Sequence, residues 1–165
     1  MNVLDTNIWI YSFDSKYPLK QARAQEIIST IRPIVLPWQV GCEFVAACRK
    51  LEPLGFRQED AWNALKDMQT ISEKVIFPDS ATWATTQSLQ QKFQLAYWDA
   101  LIVAACVQAC AVTLYSEDYG ERKLLDNLKI GNRSLRLIFR FQNADNKGHG
   151  RRGQSSIKMS ELREA

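Results

Sequence analysis

Short apolar runs alternate with helix-length amphipathic stretches through most of the chain, and this alternation constrains the fold more than any other feature. Val3-Leu4, Ile34-Val35-Leu36, Lys74-Val75-Ile76-Phe77 and Val112–Tyr115 have the length and β-branched content of strands, and Leu135–Phe141 reads as the last one. A short helical turn through Trp9 and Tyr11 follows the first strand. Pro18 then opens a helix to about Arg32 with Ala22, Ile27, Ile28 and Ile31 on its apolar face. Trp38–Leu51 carries Val40, Phe44 and Ala47 at helical spacing until Pro53 and Gly55 break it, and Arg57–Ile71 carries Ala61, Leu65 and Met68. Ser80 is placed to cap a helix running to about Phe93. Trp98–Ala109 is apolar on nearly all sides, as a central helix would be, and a turn at Asp118–Gly120 leads into a further short helix. Strand and helix in alternation predict an α/β fold with three layers, α/β/α, around a central, mostly parallel sheet of about five short strands. In such sheets ligands bind beyond the carboxyl ends of the strands, so the strand ends are where chemistry is sought.

Composition narrows the function classes. Of 165 residues, 46% are hydrophobic, enough for a packed core in one domain. The composition changes at Asn143, after which the chain is polar and Gly-rich, so residues 1–142 read as the folded domain and 143–165 as a flexible tail. The net charge of +3 permits a polyanionic partner without demanding one. The apolar run Ala100–Tyr115 is too short and too interrupted to span a bilayer, and the opening residues carry no secretory pattern, so a cytoplasmic protein with no membrane partner is expected. The four cysteines, 42, 48, 106 and 110, form no Cys-x-x-Cys, and His149 is the only histidine, which argues against a zinc site. Cys106 and Cys110, four apart on a helix, are expected to pack inside as small apolar residues.

Acidic residues stand at the positions the fold singles out. Asp5 ends the first strand, and Asp118 follows the Thr-Leu-Tyr strand in Tyr-Ser-Glu-Asp-Tyr-Gly. Asp99 opens the most apolar helix, and Glu43 interrupts an apolar helix face. A carboxylate beside buried residues is costly unless neutralised, and a hard divalent cation, which prefers oxygen ligands, is one way to do so. Each acid also has a purely structural reading: Asp5 and Asp99 as helix caps, Asp118 as a turn residue, Glu43 as a solvated helix edge. Asp14, Glu26, Glu52, Asp60, Asp67 and Asp126 have no such placement and read as surface charge.

Four segments, Leu-Asp-Thr-Asn-Ile-Trp-Ile at 4–10, Glu43 in its helix, Trp-Asp-Ala-Leu-Ile-Val-Ala-Ala at 98–105 and Tyr-Ser-Glu-Asp-Tyr-Gly at 115–120, together resemble the PIN-domain family, and within it the VapC-type toxin ribonucleases of bacterial toxin–antitoxin pairs. The resemblance covers about residues 2–142 and implies a PIN-like fold. It implies that Asp5, Glu43, Asp99 and Asp118 are the catalytic, metal-holding acids, with Thr6, Asn7 and Ser116 supporting them. It also implies Mg²⁺ or Mn²⁺, one ion or two, as the cofactor, and RNA as a substrate cut to leave a 5′-phosphate and a 3′-hydroxyl. A cognate antitoxin and a homodimer are the implied partners. Glu117 falls on a variable position beside the site. Arg49, Lys50, Arg122, Lys123 and the tail cluster Lys147, Arg151 and Arg152 are candidate phosphate contacts, though most read more simply as a solvated face. Trp9, Tyr11 and Trp98 are candidates for stacking on bases, with core packing the stronger expectation for Trp98.

Three rivals frame this expectation. A catalytically silent PIN scaffold that binds RNA or protein would normally have lost one of the acids, and all four are present. A haloacid-dehalogenase-type phosphatase also places Asp after the first strand but wants a second Asp two residues on, where this chain has Asn7. A nuclease acting on DNA or structured ribosomal RNA fits the same fold.

Overall fold

The computed structural model of the chain describes residues 1–119, 124–125 and 127–131. Its elements run β1 (Asn2–Leu4), α1 (Thr6–Phe13), α2 (Pro18–Thr30), β2 (Ile34–Pro37), α3 (Trp38–Ala47), α4 (Gln58–Ile71), β3 (Val75–Ile76), α5 (Thr82–Phe93), α6 (Tyr97–Gln108), β4 (Thr113–Tyr115), β5 (Leu124–Leu125) and β6 (Leu128–Ile130). The expected alternation is therefore present, and the sheet order is β3-β2-β1-β4-β6-β5. Every pairing is parallel except that of β5 with β6.

The connections explain where a site must form. From β1 the chain steps outward to β2 and then β3, and from β3 it returns across the sheet to β4 on the other side of β1. Helices α1 to α4 pack among themselves, and α5 packs on α6. Right-handed crossovers put these two groups on opposite faces, which gives the three layers. The direction of winding reverses between β1 and β4, whose carboxyl ends therefore flank an open crevice. Both faces are covered, so β2 is buried along its whole length and shows no alternation. The core is built from the strand residues Val3, Leu4, Val35 and Leu114 and the helix residues Ile8, Phe44, Met68, Ile102 and Val103. Gly41 lets α3 approach α4 closely: a Cβ there would meet Leu65 Cδ1 at 3.0 Å.

Several local expectations need correction. The turn after β1 is a full helix, α1. On α2 the buried positions are Lys20, Ala24 and Ile27, while Ala22 is exposed. The i, i+4, i+7 stripe begins at a lysine, so hydropathy alone misplaced the register. Ser80 does not cap α5. The cap position is Ala81, and Asp79 braces the turn leading into the helix, its Oδ1 accepting from the Ala81 and Thr82 amides, both at 3.0 Å. Helix α3 gives way at Cys48 to a 3₁₀ segment, Cys48–Leu54. Strands β5 (Leu124–Leu125) and β6 (Leu128–Ile130) stand in the stretch where a short helix was expected, of which residues 120–123 and 126 lie outside the described residues. Asp14 is buried, not surface charge; its Oδ1 accepts the Lys16 amide at 3.0 Å. Cys110 lies beyond the end of α6, exposed, while Cys106 is buried. The expected Leu135–Phe141 strand, the tail from Asn143, Asp126, His149 and the basic residues Arg122, Lys123, Lys147, Arg151 and Arg152 lie outside the described residues. Among the described residues, no helix is long and apolar enough to cross a membrane.

Candidate functional site

The crevice between β1 and β4 is floored by Asp5, which is fully buried at the first residue after β1. Its position also caps α1: Oδ1 accepts the Thr6 amide at 2.6 Å. The structural and chemical readings of Asp5 are thus compatible, because Oδ2 faces the other way. There Oδ2 accepts from Ser116 Oγ at 2.5 Å and from Asn7 Nδ2 at 3.2 Å.

Asn7 and Ser116 carry the network to Asp118. Asn7 Nδ2 also donates to Asp118 Oδ2 at 3.1 Å and reaches Ser116 Oγ at 3.3 Å, so its two N–H bonds are shared among three oxygens. Ser116 Oγ in turn accepts the Asp118 amide at 3.1 Å, which fixes the turn after β4. Thr6, Asn7 and Ser116 are all buried, so little water competes for these bonds.

Glu43 joins from α3. Its Oε2 accepts from Thr6 Oγ1 at 2.9 Å, and its Oε1 accepts from Gln39 Nε2, one helical turn earlier, at 2.6 Å. Gln39 Nε2 also reaches the Trp98 carbonyl at 3.2 Å, tying α3 to the start of α6. Asp99 sits in the first turn of α6 but does not cap it; the cap position is Ala96. Asp99 is linked to the site through its main chain, where its carbonyl accepts from the buried Tyr119 hydroxyl at 3.1 Å.

The four acids therefore sit in one hydrogen-bonded frame, but unevenly. Asp5 and Asp118 share an amide, Thr6 joins Glu43 to Asp5 by donating its hydroxyl to the first and its backbone N–H to the second, and Asp99 is connected through backbone. Among the described residues, no three His, Cys, Asp or Glu side chains form a ready-made ligand shell. The donor set still suits a hard cation. It is all oxygen, and Mg²⁺ is commonly held by one or two carboxylates with several waters retained. Asn7 Oδ1 is buried with no hydrogen-bond partner among the described residues, an acceptor left over beside the paired carboxylates. The nearby sulfur is unsuited to ligation: burial, and next the charge of Asp5, push the Cys106 thiol well above its usual range, keeping it protonated.

Sequence reasoning missed three participants. Gln39 and Tyr119 act through bonds that no spacing announces. Lys20 was legible as a lysine on an apolar stripe. It lies buried on α2 with Nζ 3.1 Å from Glu117 Oε2 and 2.7 Å from the Tyr11 hydroxyl, and Tyr11 also donates to Glu117. The aromatic expectations are reversed: Trp9 is buried, and so out of reach of a base, whereas Trp98 is 43% exposed beside Tyr97. Arg49 and Lys50 lie exposed in the 3₁₀ segment after α3.

Comparison with known proteins follows the same outline. The profile of the family described as PIN domain matches residues 3–124. A search of curated protein sequences gives no match. Among solved structures, a chain of the VapBC2 assembly from Rickettsia felis, bound to a promoter DNA fragment, superposes with TM-score 0.57 at 18% identity, over 79% of this chain and 97% of that one. A toxin–antitoxin complex from Klebsiella pneumoniae gives 0.60 at 15% identity, over 78% and 95%. VapC20 of Mycobacterium tuberculosis, described as a toxin cleaving the sarcin–ricin loop, gives 0.56 at 12% identity, over 78% and 99%. At these identities the likeness is one of fold.

Proposed function

Because the chain belongs to the PIN domain family, we propose that it is a divalent-metal-dependent endoribonuclease and the toxin of a type II toxin–antitoxin pair. The observation that carries this reading is the shared amide: Asn7 holds the Asp5 and Asp118 carboxylates, from the ends of two adjacent parallel strands, on one nitrogen. Like charges in a partly buried crevice oppose one another, and a bound cation is one partner that would offset both. In this reading Asp5, Glu43, Asp99 and Asp118 hold Mg²⁺ or Mn²⁺.

When bound, the cation supplies Lewis acidity, making water more acidic and offsetting charge on a phosphate. The chain's own residues do the rest. Thr6, Asn7 and Ser116 fix the two oxygens of Asp5, so the acid at the floor cannot rotate away. Gln39 and Thr6 orient Glu43 from two sides. Tyr119 and Gln39 hold the first turn of α6, and hence Asp99, against the β4 turn and α3. Trp98 and Tyr97, exposed at that same helix start, offer faces on which unpaired bases stack. The proposed substrate is RNA, the proposed protein partners are an antitoxin and a second copy of the chain, and the proposed setting is the cytoplasm.

Incubating the purified chain with a pool of cellular RNA, in Mg²⁺, in Mn²⁺ or in EDTA, and mapping the cut ends tests this directly. Cleavage with either metal that EDTA stops, leaving 5′-phosphates, supports the nuclease. RNA retained but uncut under every condition would return the protein to the class of catalytically silent scaffolds.

A further inference from the structure

We infer that Lys20 is a positioning residue for the acidic site, clamping the Ser116–Asp118 turn to α1 through Glu117 and Tyr11. The inference deepens the proposed function, and its functional half rests on that reading.

Lys20 projects from α2 with its side chain 4% exposed, and Glu117 is 14% exposed. The ammonium lies 4.1 Å from the centre of the Tyr11 ring as well as bonding to its hydroxyl. Lysine is seldom buried so fully unless paired, and removing both partners of an ion pair from water costs more than an apolar side chain of the same volume would. Packing alone therefore does not call for a lysine here, because Ala24 and Ile27 on the same stripe do that work.

What the lysine joins is specific. Glu117 stands between Ser116, which donates to Asp5, and Asp118, which accepts from Asn7. Tyr11 stands one helical turn after Asn7 on α1. The Lys20–Tyr11–Glu117 cluster thus fixes the outer side of the same turn whose inner side carries the two shared acids. Burial lowers the Lys20 pKa, and the negative charges of Glu117, Asp118 and Asp14 act against that shift, so the clamp rests on its contacts: the ion pair with Glu117 and the bond to Tyr11. Lys20 bonds none of the four acids itself, so it acts on Asp118 only through the backbone of the turn that Glu117 anchors.

Amide hydrogen exchange of the free chain tests the clamp without reference to catalysis. In Lys20→Met, exchange at the Asp118 amide, which donates to Ser116 Oγ, is expected to rise about tenfold or more, with α4 and α5 unchanged, and Lys20→Arg should recover part of the protection. The double variant Lys20→Met/Glu117→Gln removes both partners of the ion pair and carries the same expectation should the single variant not fold. On RNA, kcat should fall roughly tenfold with KM within about threefold of wild type, as for an effect on the reacting centre and not on substrate binding. Unchanged exchange at the Asp118 amide in a folded variant overturns the inference. A wild-type chain that cuts no RNA removes the nuclease reading but leaves the exchange result to decide the clamp.

Discussion

Asn7 Nδ2 lies 3.2 Å from Asp5 Oδ2 and 3.1 Å from Asp118 Oδ2, so one amide on α1 bridges the carboxyl ends of β1 and β4. The bridge is buried on its Asp5 side and half-buried on its Asp118 side, and it spans 111 positions of sequence between Asn7 and Asp118. It converts a topological crevice into a defined pair of acids, and it makes Asn7 the most informative supporting side chain to remove.

Asn7→Ala should leave the fold intact and release both carboxylates from their common donor. Hydrogen bonds to charged groups contribute about 1.5–3 kcal/mol each, so RNA cleavage is expected to fall roughly 10- to 100-fold. Circular dichroism unchanged from wild type, with single-turnover cleavage at wild-type rate, would show that the bridge plays no part in catalysis.

Thr6→Val keeps the volume at position 6 but removes the hydroxyl that donates to Glu43 Oε2 at 2.9 Å. Gln39 still holds the other oxygen, so a smaller loss is expected than for Asn7→Ala, about fivefold to tenfold in cleavage. Parallel kinetics of the two variants test that order.

Thiol reactivity checks the fold at four positions. Cys42 and Cys110 are exposed, whereas Cys48 and Cys106 are buried, with the Cys48 thiol pushed up by burial to about 12. A chromogenic disulfide reagent at neutral pH should titrate two thiols quickly and the other two only after denaturation. Four fast thiols would contradict the packing of α6 and of the 3₁₀ segment.

Phe44 is fully buried beneath α1, its ring 5.9 Å from that of Phe13. Phe44→Ala should lower stability by about 3–5 kcal/mol, measured by urea denaturation, since a large cavity opens in a close-packed core. A loss near zero would mean that α3 does not pack as described.

The parallel sheet and the order of helices were legible because strand-like and helix-like periodicities differ and alternate cleanly. The placement of Asp5 and Asp118 was legible because both stand at strand ends, where this topology opens. Lys20 was missed because hydropathy treats lysine as a surface residue, and only its partners, Tyr11 and Glu117, make its burial possible. The roles of Trp9 and Trp98 were exchanged for a related reason: periodicity shows that a tryptophan lies on a helix, not which side of that helix the neighbouring layer covers. Strands β5 and β6 are two and three residues long, too short for any alternation to register.

The central claim is that carboxylates from separate strands act together on one divalent ion. Calorimetric titration of Mn²⁺ into the wild-type chain, Asp5→Asn and Asp118→Asn tests it most directly. Saturable binding by wild type, weakened at least about tenfold in both variants, is the predicted result. No binding by wild type, or equal binding by all three, would contradict it.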